Sequence, residues 1–157
     1  MMAPRGTKPA PSHLKLIRGN PGRRPVNARE PKPALSLPSA PAHLSAEAKA
    51  EWARVCVGLH ACGILSEIDR AGLAAYCQAY GRWEQAERAL AKMGENDITS
   101  GLMVKTKNGN AIQNPIVGTA NKAMADVVRY AAEFGMTPSS RTRVTAERAA
   151  EKDEFFD

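Results

Sequence analysis

Three histidines and three cysteines are the residues best suited to hold a metal or move a proton, and their spacing supports neither role. His13, His43 and His60 are scattered, and none lies at a metal-ligand spacing from a cysteine or another histidine. Cys56, Cys62 and Cys77 are odd in number, form no CxxC pair and fall in helical patterns. That placement predicts small buried thiols in a reducing compartment, not disulfides. No glycine-rich loop leads into Lys-Ser or Lys-Thr, so the chain lacks a Walker-type phosphate cradle. The acids fall mostly on helix surfaces beside a base, as Glu84 does four residues before Arg88. No catalytic site assembles from these residues, and neither enzyme activity, nor a cofactor, nor a metal is expected.

The chemistry that is present is cationic. Arg5, Lys8, Lys15, Arg18, Arg23, Arg24, Arg29 and Lys32 stand against one acid, Glu30, so residues 1–33 carry +7. The whole chain is +6, which leaves the remaining 124 residues at −1. Residues 1–42 also hold nine of the eleven prolines and almost no large apolar side chains. Proline removes a backbone donor and disfavours helix in the residue before it, so this segment is predicted to be extended or disordered, with one short helix over His13–Arg18. Such an arm reads either as a solvated linker or as a basic tether that attracts a polyanion from a distance.

The elements that would carry the arm are helical. Over Ser66–Met93, Leu73, Tyr76, Cys77, Tyr80, Trp83 and Leu90 share one stripe, and three of the chain's five Tyr and Trp residues lie on it. Ser66 and Asp69 have capping-box spacing, and Gly94 is placed to close the helix in a left-handed conformation. Ahead of it, Ser45 caps a helix whose stripe is Ala48, Trp52, Val55, Cys56, Leu59 and Cys62, ended by Gly63. The short link Gly63-Ile64-Leu65 makes these two a helical hairpin, with Trp52 toward Tyr76 and Tyr80. Between Leu102 and Gln113, two strand-like runs flank Lys107-Asn108-Gly109, a hairpin signal. Lys105 and Lys107 there serve as edge-strand guards or as phosphate contacts.

Asn114-Pro115 opens a third helix with the stripe Ile116, Val117, Ala120, Met124, Val127, Val128, Ala131 and Phe134. Gly135 ends it, and it forms the layer over the first two. Thr137-Pro138 starts a fourth helix, expected to run to about Ala150 with Val144 as its only large apolar residue. An acidic tail, residues 151–157, with Phe155 and Phe156, suits docking on a partner or simply frays. The reading is a mainly α chain: arm and linker at 1–42, a three-helix core with an inserted β-hairpin (102–113) at 43–136, and a C-terminal helix and tail at 137–157. No apolar run has transmembrane length and no signal-peptide core is visible, which predicts a soluble intracellular protein.

Four stretches give this reading a family. They are LKLIRGNPGRRP (Leu14–Pro25), PAHLSAEAKAEWARV (Pro41–Val55), ILSEIDRAGLAAYCQAYGRW (Ile64–Trp83) and KNGNAIQNPIVGTANKAMADVVRYAAEFGMTPSSRTRV (Lys107–Val144). In this order and spacing, over residues 14–145, the chain resembles the small terminase subunits of tailed bacteriophages and prophages. The resemblance implies a non-catalytic component of a genome-packaging motor in the cytoplasm of the infected host. Such a protein assembles into a ring, binds double-stranded viral DNA, and recruits and regulates the large subunit, which holds the ATPase and nuclease. It makes the eight arm cations the expected DNA contacts, with Arg141 and Arg143 on the fourth helix as further candidates. The competing reading is a dimeric regulator that uses the first two helices as a helix-turn-helix reader.

Overall fold

The computed structural model describes residues 33–95, 97 and 99–141. Residues 1–32 of the arm and Arg143 lie outside the described residues, as does the span beyond Arg141 over which the fourth helix was expected to continue. Within them the fold is mainly helical, with three long helices and one two-stranded antiparallel sheet. The expected fold class is what forms.

Helix α1 (Ala46–Ala61) starts where Ser45 Oγ accepts the Ala48 amide at 3.2 Å, one of the backbone donors that a helix start leaves unpaired. It stops at Gly63, whose φ of 69° is comfortable only for a residue without Cβ. Ser66 and Asp69 do form the capping box, but they nucleate a 3-10 turn (Glu67–Asp69) that leads into α2 (Arg70–Gly94). At 25 residues, α2 is about 37 Å long at 1.5 Å per residue. Gly94 does not close it in a left-handed conformation, as expected from sequence: it is the last helical residue, and Glu95 after it keeps right-handed torsions. The helix runs on because Ser100 Oγ donates to the Met93 carbonyl and the Glu95 amide donates to that of Ala91, so the end is satisfied without a reversal.

Strands β1 (Met103–Lys105) and β2 (Ala111–Gln113) pair with Val104 opposite Ile112. The Thr106 amide donates to Asn110 O and the Gly109 amide to Thr106 O, both at 2.9 Å, and Gly109 takes φ 81°. That is a three-residue connection closed by glycine in the left-handed region. Asn114 then does more than cap α3 (Pro115–Glu133). It is 2% exposed, its Oδ1 accepts the Ile116 amide, and its Nδ2 donates to the carbonyls of Ser100 and Gly101. One side chain therefore ties the loop after α2, the hairpin and the α3 start together.

The core gathers Trp52, Val55 and Leu59 of α1 with Leu73, Tyr76 and Cys77 of α2, and Leu65 in the link is fully enclosed. Both α1 and α3 pack on α2, which makes α2 the central element; α3 lies chiefly along α2 and is not a lid over both partners as expected. Two closely approached glycines set these contacts. A Cβ on Gly81 would stand 2.9 Å from Ser45 Oγ and 3.0 Å from the Ala48 nitrogen, and one on Gly72 would stand 3.3 Å from the Phe134 ring. Two stripe assignments fail. Cys62 is exposed, because α1 has already ended, and Val128 is 62% exposed on α3. Tyr80, Trp83 and Leu90 are only half-buried.

Residues ahead of α1 also join the body. The Ser36 amide donates to Leu65 O at 3.1 Å, and Pro38 O accepts a weak bond from the Cys56 thiol. A short α4 (Pro138–Arg141) follows α3. No described helix is long and apolar enough to cross a membrane.

Candidate nucleic-acid interface

Of the ten predicted DNA contacts, Arg141 alone falls among the described residues. It is exposed at the end of α4. The turn that presents it is locked by Thr137 and Ser140: the Thr137 amide donates to Ser140 Oγ at 3.2 Å, and the Ser140 amide to Thr137 Oγ1 at 3.3 Å. Ser140 is 5% exposed, so Arg141 leaves the surface from a fixed base. Arg5, Lys8, Lys15, Arg18, Arg23, Arg24, Arg29, Lys32 and Arg143 lie outside the described residues.

The folded body is close to neutral. Residues 33–141 hold eleven Lys and Arg against ten Asp and Glu. Several cations are already engaged: Arg88 with Glu84 and Glu47, Arg129 with Asp126, and Arg70 with the Ser39 carbonyl. Glu47 sits in the first turn of α1, and its carboxyl lies below the ordinary range because backbone and Gln85 hydrogen bonds favour the anion. Lys105 and Lys107 are exposed at the hairpin, as either of their expected roles requires. A body so balanced has little long-range pull on a polyanion.

One buried polar cluster was missed in the sequence. Glu51 is 3% exposed, yet it faces the core from α1. Arg54 clamps it with two bonds of 2.7 and 2.6 Å, and the Tyr76 hydroxyl from α2 donates to Glu51 Oε1 at 2.8 Å. A carboxylate out of water needs such partners, and two planar N–H bonds from Arg are the strongest ordinary supply. Its position on the buried stripe, three residues after Ala48 and four before Val55, was legible; its partner from α2 was not. Burial first, and then the bond to Glu51, push the Tyr76 hydroxyl well above the usual phenol range. A raised folded-state pKa means that Tyr76 supports stability fully below its unfolded value of about 10 and less as pH climbs past it. Melting temperature is therefore expected to fall above about pH 10, and more gently in Tyr76→Phe. An equally steep fall in the variant would remove Tyr76 from the alkaline transition.

The thiols do no visible chemistry. Burial pushes Cys77 up to about 12 and raises Cys56, so both stay protonated and inert. Among the described residues no group of His, Cys, Asp and Glu is placed to hold a metal ion.

What these residues define is a small, near-neutral α-helical body preceded in the chain by a strongly basic segment. The sequence profile of the phage terminase small subunit matches residues 48–151, and the chain belongs to that family. The match runs from the first turn of α1 through α2, the hairpin and α3, whereas the basic arm and its Gly-Asn-Pro-Gly motif precede it. No curated protein and no solved structure matches the chain.

Proposed function

We propose that this chain is the non-catalytic, DNA-binding subunit of a phage genome-packaging motor, assembled as a ring and recruiting the large terminase subunit in the host cytoplasm. The family places it in phage DNA packaging; the observation that carries the rest is the separation of charge. Residues 1–33 hold +7, while residues 33–141 are almost neutral. One arm is a weak, non-specific ligand for duplex. A ring presents many arms to one duplex and turns a feeble contact into avidity. Specificity then comes from the shape and bending of DNA around the assembly more than from base edges.

Self-association has its own support. Leu102, Met103 and Ile112 on the hairpin and Val128 on α3 are 43–63% exposed, apolar side chains that neighbouring copies would cover. The regulator reading fares worse. The turn that begins α2 carries Glu67 and Asp69, and Gly72 just inside the helix lies against Phe134 of α3. An acidic helix start is poorly suited to a major groove lined by phosphates.

Light scattering of the full chain tests the assembly. A mass of many chains, unchanged on moderate dilution, is the expected result. A stable dimer would return the two-fold regulator to first place, because paired half-sites need that symmetry.

A further inference from the structure

The geometry points to a docking groove for this chain's own acidic segment, residues 151–157, on the face where α1 meets the end of α3. The groove is a cleft of about 670 Å³, within the range of roughly 300–1,000 Å³ in which compact apolar groups are held. Its apolar wall includes Leu59, Ile64, Phe134 and Met136. The charged side chains that line it are Arg141 and Arg54, the latter already holding the buried Glu51, with no acid among the lining residues. A rim that carries Arg141 over an apolar floor fits a ligand that joins aromatic rings to carboxylates. The sequence Glu151-Lys152-Asp153-Glu154-Phe155-Phe156-Asp157 has that composition, two Phe rings among four acids and one Lys.

Chain connectivity favours this occupant over others. The described residues end at Arg141, itself part of the groove, and thirteen residues separate it from Phe155. Fourteen steps of chain span up to about 46 Å when fully extended, far more than a return to the starting rim requires. A ligand tethered this closely is present at a millimolar effective concentration, so even a weak intrinsic contact is occupied. Docking would cover Arg141, and the inference stands whether or not the chain binds DNA.

Cys62 supplies the reporter: it lines the groove and is exposed, whereas the other two thiols are buried. In the full-length protein its reaction with a dithiobis-nitrobenzoate reagent is expected to be about tenfold slower than in Phe155→Ser/Phe156→Ser, as a tethered ligand at millimolar effective concentration should make it. A synthetic peptide of residues 149–157 should restore protection to that variant, and Arg141→Glu should weaken protection in the intact chain. Equal rates in the full-length protein and the double serine variant would overturn the proposal. Mixed assemblies separate this occupant from a neighbour's segment. The serine variant that keeps Cys62 is combined with Cys62→Ala chains that keep the acidic segment. No protection is expected; protection in the mixture would assign the groove to a second copy and overturn docking within one chain.

Discussion

Deleting residues 1–33 is expected to weaken duplex binding by about 100-fold or more at roughly 0.1 M salt, and to flatten its salt dependence. The estimate follows from counterion release. Each phosphate neutralised contributes about 0.9 to the slope of log K against log salt. If about half of the arm's eight cations engage, the slope falls by about 3.6, and an affinity term of that order in log units at 0.1 M goes with it. The body left behind is nearly neutral over residues 33–141, so its exposed cations, Lys105, Lys107 and Arg141 among them, stand against almost as many acids. Fluorescence anisotropy with a labelled duplex across a salt series measures both quantities. A second variant, with the arm's Lys and Arg changed to Gln at constant length, separates charge from mere tethering. Unchanged affinity in both would move DNA contact onto the folded surface and end the arm's role.

Gly81→Leu is expected to be the most damaging single change in the body, at about 3 kcal/mol of stability and a melting temperature lower by more than about 10 °C. Gly81 is where α2 passes closest to the start of α1. A new Cβ meets not only Ser45 Oγ but the backbone nitrogen of Ala48, 3.0 Å away, and a backbone atom inside a helix cannot turn aside. Ser45 Oγ is also the acceptor that caps α1, so the intrusion pries apart the cap and the crossing together. Replacing a helical glycine ordinarily gains up to about 1 kcal/mol, and Gly118 of α3 is the control. Nothing lies within 4 Å of its missing Cβ, so Gly118→Ala should stabilise. Thermal denaturation of the two variants beside the parent chain decides the matter. If Gly81→Leu melts with the parent, the α1–α2 approach is not the constraint that the geometry implies.

Most of the fold was written in local rules. Ser45, the Ser66–Asp69 pair and Asn114-Pro115 act at helix starts where their spacing put them, and Gly63, Gly109 and Gly135 take the positive φ that their contexts demand. These are short-range effects: a side chain satisfies a backbone group two or three residues away, or a missing Cβ permits a turn. The charge of the arm is equally local, being a property of composition and not of packing. So the sequence alone determined the helical class, the hairpin, the family and the separation of a basic leader from a balanced body.

Tertiary structure decided what those elements meet. Stripe arithmetic placed Cys62 and Val128 inside, but a helix that ends early and a neighbour that covers one side only left both exposed. It left Glu51 unremarked, since only the arrival of Tyr76 from α2 lets a carboxylate be buried beside Arg54. It gave no hint that Gly81 faces a backbone nitrogen, or that Arg54 and Arg141, 87 positions apart, line one cleft. The reason is common to all four: burial and contact belong to pairs of elements far apart in the chain, and periodicity describes one element at a time.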